Sequence, residues 1–122
     1  MLERTFDYRK VKKFWPKEEQ GPIISSKFIY LLDSDKGMWT FHSYKNGFRI
    51  HANMSAKLRG KKAIESAKNA FRWIFSNTKK DIIYAIIPKK NRAACLVASM
   101  SGMDFIDYQE DNRIFEVKKW AA

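Results

Sequence analysis

Cysteine is almost absent from this chain: Cys95 stands alone among 122 residues. No internal disulfide can form and no cysteine-based zinc site can be built, which points to a reducing compartment. Histidine is nearly as scarce, and His42 and His51, lacking a suitably placed third ligand, make no metal centre. Long apolar runs are missing as well, none approaching the roughly 20 residues that a membrane span requires. The opening Met1-Leu2-Glu3-Arg4-Thr5-Phe6-Asp7 lacks the charged-then-apolar order of a secretion signal. These absences predict a cytoplasmic protein with no membrane partner. There is no internal repeat and no low-complexity tract. Acidic residues are the minority, 13 against 24 Lys and Arg, for a net charge of +11.

That charge is not confined to a tail. Residues 1–60 carry 12 basic against 6 acidic side chains, and residues 61–122 carry 12 against 7. A surface of this kind attracts anionic ligands by long-range steering, and it also serves solubility alone. Hydrophobic residues make up 45% of the chain and aromatics 15%, which is too rich in core-forming side chains for disorder. The length fits one domain spanning residues 1–122.

Periodicity then orders the elements. A short strand near Thr5 to Tyr8 precedes a turn or so of helix, with Val11, Phe14 and Trp15 at three-and-four spacing, before Pro16 and Gly21-Pro22 enforce a loop. Three β-prone runs follow: Phe28 to Leu32, Met38 to Tyr44, and Phe48 to Met54. The first two are joined by a turn from Asp33 to Gly37 and the last two by Lys45-Asn46-Gly47, where Asn-Gly predicts the centre of a tight hairpin. After Lys57 the period becomes helical. Ala63, Ala67, Ala70 and Ile74 share a stripe, Lys62, Glu65 and Arg72 face outward, and the helix ends near Asn77. Ile82 to Ile87 reads as a strand buried on both faces and left at Pro88. Asn91 caps a last helix running to Met100 and ended by Gly102; a hairpin of Phe105–Tyr108 with Arg113–Val117 completes a mixed α/β order.

From Phe28 to Val117 this order resembles the GNAT superfamily of small acyl-CoA N-acyltransferases. The most specific match is a buried strand followed by Asn91, Ala94, Gly102 and Met103, which looks like that family's second CoA-contacting motif. A second is the basic turn Lys57-Leu58-Arg59-Gly60-Lys61-Lys62-Ala63, where Arg59-Gly60 matches the usual Arg-Gly opening while Lys62 and Ile64 replace two further glycines. The resemblance implies an α+β fold with a mixed, mainly antiparallel sheet flanked by helices. It divides the chain into a reduced N-terminal segment, 1–27, and a core, 28–118. It also implies acetyl-CoA or CoA as ligand and an amine as acceptor. The cofactor contacts it implies are Met54, Ser55, Arg59, Gly60, Lys61, Lys62, Ala63 and Asn91, with backbone N–H groups from Asn53 to Ser55 as an oxyanion site. The frequent general base of the family maps onto His51, and its frequent tyrosine acid onto Ala98, which cannot donate a proton.

Three functions remain open at this point. The first is an N-acetyltransferase acting from acetyl-CoA on an amine. The second is a catalytically inactive GNAT-fold protein that binds a protein partner or serves virion assembly, since small basic versions of the fold resemble proteins encoded by tailed bacteriophages; Trp73 and Trp120 would then be interface anchors, and the protein would work in the host cytoplasm or in the particle. The third is nucleic-acid binding through Arg9-Lys10-Val11-Lys12-Lys13, Lys61-Lys62 and Lys89-Lys90-Asn91-Arg92, a reading no recognised motif supports.

Overall fold

The computed structural model describes residues 2–55 and 57–121. Seven strands form one sheet in the order β1-β2-β3-β4-β5-β7-β6. The strands are β1 (Leu2–Thr5), β2 (Phe28–Asp33), β3 (Gly37–Tyr44), β4 (Gly47–Met54), β5 (Ile82–Pro88), β6 (Asp104–Gln109) and β7 (Asn112–Lys118), and the helices are α1 (Tyr8–Lys12), α2 (Lys61–Asn77) and α3 (Arg92–Met100). Every neighbouring pair is antiparallel except β4 and β5, which pair in parallel only at Phe48↔Ile83 and Arg49↔Tyr84. Beyond those two residues the strands part.

Alternation along the strands assigns each face its cover. Ile29, Leu31, Trp39, Phe41, Phe48, Ile50, Ile83 and Ala85 point to one side, where the small-residue stripe Ala63, Ala67 and Ala70 lets α2 approach closely and α3 adds Cys95 and Ala98. A buried polar relay ties α2 to the sheet: Trp39 Nε1 donates to Ser66 Oγ (2.8 Å), and Ser66 donates to Asp33 Oδ2 (2.6 Å). The opposite face holds a smaller cluster, Val11, Tyr30, Leu32 and Met38, roofed by Phe14, Trp15, Ile24 and Phe28. Trp73 is half-buried against the main core, whereas Trp120 is exposed.

Two local expectations change. The first strand ends at Thr5 rather than continuing to Tyr8, because Asp7 leaves the sheet to cap α1, its Oδ1 accepting the Arg9 N–H at 2.9 Å. In the β3–β4 hairpin, Tyr44 pairs with Gly47, so the two-residue turn is Lys45-Asn46, with the positive φ at Lys45 (50°). Gly47 is needed for another reason: a Cβ there would collide with the Ile82 carbonyl, where β5 crosses closest to β4.

Candidate functional site

Where β4 and β5 separate, a cleft of about 760 Å³ opens between them. Its polar and charged lining is sparse, and most of its wall is apolar: Trp39, Ile50, Phe71, Ala85, Ile87, Val97, Ala98 and Met103. Arg59, Gly60 and Ala63 bring the start of α2 to its rim, and Asn91 and Ala94 bring the start of α3. The crossing of two helix starts over a split sheet follows from topology, since α2 and α3 each leave or enter the carboxyl end of one of the parting strands.

The start of α2 has no side-chain cap. Gly60 occupies the N-cap position with φ 59° and ψ −129°, a conformation essentially restricted to glycine, and the Ile64 N–H takes the Gly60 carbonyl as the first helical bond. The N–H groups of Lys61, Lys62 and Ala63 therefore have no intrahelical acceptor, and no acidic residue lies in the first turn. A Cβ on Gly60 would meet nothing, so glycine serves the backbone conformation here and not a close contact. Three such donors at the positive end of a four-to-five-turn helix are chemically suited to an anion. The Lys61 and Lys62 side chains are exposed and stand outside the cleft, contributing only through their backbone and their field.

The start of α3 is built differently. Asn91 Oδ1 accepts the Ala94 N–H at 3.2 Å, so Asn91 is an N-cap. Ala98, buried on the cleft wall, offers no proton, and Ser101 beside it donates its hydroxyl to the Ala98 carbonyl (2.9 Å). Tyr84 lies at the closed end of the split: its hydroxyl donates to Asn46 Oδ1 at 2.7 Å, and burial, helped by Glu116 and Tyr44, raises its pKa above the ordinary tyrosine value. Cys95 is a buried core residue.

On β4 the ladder decides which N–H groups are free. Ser55 N–H donates to the Lys36 carbonyl at 2.8 Å, so alternation commits the N–H groups of Asn53 and His51 to β3 and turns those of Ala52 and Met54 toward the side β5 has vacated. Of the three N–H groups expected from Asn53 to Ser55 to meet an oxyanion, Met54 alone faces the cleft. Ser55 Oγ also bonds the Lys36 carbonyl, at 2.6 Å, and Ser55 lines a shallower recess on the α1 side together with Lys57, whose Nζ pairs with Asp35 at 2.8 Å. Ser55 is thus turned away from the cleft by its own hydrogen bonds. Periodicity alone could not reveal this, although the β3–β4 register implied by the hairpin could.

His51 is half-buried on the cleft wall, and its ring stacks on that of His42 with centroids 5.1 Å apart and Nε2 atoms 3.0 Å apart. Burial first, then the Arg49 and His42 charges, lower its pKa to about 4, so the ring is neutral at pH 7. Among the described residues no group of three or more His, Cys, Asp or Glu side chains converges. The Lys and Arg side chains of Arg9–Lys13, Lys61-Lys62 and Lys89–Arg92 are exposed, along α1, at the start of α2 and at the turn into α3. Among the described residues no helix is long and apolar enough to cross a membrane.

This arrangement matches known structures. Over 78% of this chain and 70% of that one, it superimposes on the Campylobacter jejuni N-acetyltransferase PseH in complex with acetyl coenzyme A, at TM-score 0.66 and 15% identity. The Vibrio cholerae spermidine N-acetyltransferase in complex with CoA and spermine matches at TM-score 0.67 and 13% identity over 79% and 68%. A chimera of the Vibrio cholerae spermidine N-acetyltransferase SpeG with hSSAT matches at TM-score 0.78 and 11% identity over 98% and 97%. No family model and no curated protein sequence matches the chain. The class defined by the split sheet, the crossover helix and the paired helix starts is therefore structural: the chain has the GNAT acetyltransferase fold.

Proposed function

We propose that this protein binds acetyl-CoA in the β4/β5 cleft and transfers the acetyl group to an amine. The observation that carries this reading is the uncapped start of α2 at the cleft rim, three N–H groups without an intrahelical acceptor held by a glycine-only backbone turn. They would receive the pyrophosphate, with Arg59 beside them and the basic surface steering the anion in. The Asn91 amide would hold the pantetheine arm, and the Met54 N–H would face the thioester carbonyl. When bound, the thioester supplies the acyl group. His51, neutral at pH 7, would accept a proton as the amine is acylated. With alanine at position 98, the thiolate would leave without a side-chain acid, so turnover would be slow relative to enzymes that possess one.

A second reading, a GNAT-fold protein that binds a protein partner or serves a phage particle without catalysis, is favoured by that same alanine. Calorimetric titration with acetyl-CoA and with free CoA, followed by a thiol-release assay with an amine panel, separates the two. Saturable micromolar binding with amine-dependent thiol release supports the transferase. Binding without release under any amine supports the second reading, and no binding at millimolar ligand excludes a role for CoA altogether.

A further inference from the structure

Beyond the CoA side of the cleft, the other sheet face carries a group of side chains that the acyl donor does not use. His42 Nδ1 lies 3.2 Å from the Ser43 carbonyl oxygen, which can only accept, so the network assigns His42 its proton at Nδ1. The Nε2 of a neutral His42 then accepts from the Nε2–H of His51 across 3.0 Å. That leaves the lone pair of His51 at Nδ1. Thr40 sits directly across the ladder from His51, lines the same cleft, is 4% exposed, and its Oγ1 has no partner among the described residues. A buried hydroxyl left unpaired is destabilising, and a bound ligand's hydrogen bond relieves that cost.

The walls around these polar atoms are flat and aromatic. Phe28 lies 6.2 Å from His42 and 6.4 Å from Tyr30, and Trp15 meets Tyr30 edge-on at 6.2 Å, with Trp15 and Phe28 both lining the cleft. Charge is scarce: of the residues lining the cleft, Glu19 is the one carboxylate and Arg59 the one strong cation. A polyamine entering this cleft would find Glu19 alone to pair with among the described lining residues.

From this geometry we infer that the acceptor is an uncharged, weakly basic amine carried on an aromatic ring, an arylamine or arylhydrazine, and not an alkylammonium or a polyamine. The inference rests on the acetyl-transfer reading above. The ring stacks among Trp15, Phe28 and His42, and the Thr40 hydroxyl accepts one amine N–H. The nitrogen lone pair forms the C–N bond at the thioester carbonyl, and the C–S bond breaks with its electrons going to the CoA thiolate. The nitrogen loses one proton to His51 Nδ1, and this proton returns through water to the thiolate, giving amide and free CoA thiol. With its pKa lowered to about 4, His51 is far too weak to strip an alkylammonium of pKa about 10, whereas an amine that arrives neutral needs a base only after attack.

The test is thiol release from acetyl-CoA at pH 7 with p-anisidine, phenylhydrazine, n-butylamine and spermidine, with CoA affinity measured separately by calorimetry. The wild type is expected to favour the aryl substrates by at least roughly tenfold in kcat/KM. Thr40→Val, which keeps the shape and removes the hydroxyl, should raise KM for p-anisidine about 3- to 10-fold while leaving CoA affinity and thermal stability unreduced. A role in packing alone would not move KM in that way. Equal or faster turnover of spermidine or butylamine, or an unchanged KM in Thr40→Val, overturns the inference while the acetyl-transfer reading stands. CoA binding with no amine turned over, or no CoA binding, overturns both.

Discussion

The two helices that flank the cleft begin in opposite ways. α3 is closed by its own sequence, Asn91 turning back to satisfy the Ala94 N–H, whereas α2 starts from a glycine that supplies no side chain and leaves its first N–H groups open. The first arrangement commits a side chain to stability; the second leaves its N–H groups open at the cleft rim. The contrast teaches that an absent cap is informative when the bare helix end faces a cavity, because the open N–H groups there can be completed by water or by an anion.

The sharpest way to break the contrast is Gly60→Ala. Alanine is strained at φ 59° and ψ −129° by about 1–3 kcal/mol, so the turn relaxes and the three N–H groups lose their convergence. CoA affinity should fall by tenfold or more in a calorimetric titration, and retention of wild-type affinity would remove α2 from the site. Asn91→Ala reverses the emphasis. It strips the cap and should cost about 1 kcal/mol, seen as a fall of roughly 3–5 °C in melting temperature, with a CoA loss smaller than that of Gly60→Ala.

Neither helix start titrates in mild acid, so the acid sensitivity of the fold probes a third group, His51. Its folded-state pKa of about 4 lies below the ordinary value near 6.5, so the unfolded chain binds the extra proton between those values. The stability contributed by the neutral ring is complete above pH 6.5 and is lost as pH falls toward 4, on the order of 1 kcal/mol once screening of a half-exposed ring is allowed for. His51→Gln should flatten that part of the denaturation profile relative to wild type. The smallest effect is expected from Lys61→Ala with Lys62→Ala. Because these side chains are exposed at the rim, CoA affinity should drop about 2- to 5-fold at low salt, and the difference should vanish near 0.5 M salt.

Much of the fold was legible in the chain because its signals are local. The apolar run Ile82–Ile87, the alanine stripe of α2 and the Asn91 cap each depend on residues within one element, and each element formed close to its expected bounds. Where the reading slipped, a neighbour decided: Gly47 looked like a turn glycine but is dictated by the Ile82 carbonyl of β5, and Ser55 looked like a site residue but is held by Lys36 of the β2–β3 turn.

The order of elements, the face each strand buries and the chemical types available to the site were determined by the sequence itself, through periodicity and capping that act over a few residues. Only the tertiary structure decided that β4 and β5 part after two paired residues, leaving a gap beside the Met54 N–H, and that Thr40 is buried next to the His42–His51 pair with its hydroxyl unsatisfied among the described residues. Those outcomes depend on register and on desolvation by distant segments, which no window along the chain contains.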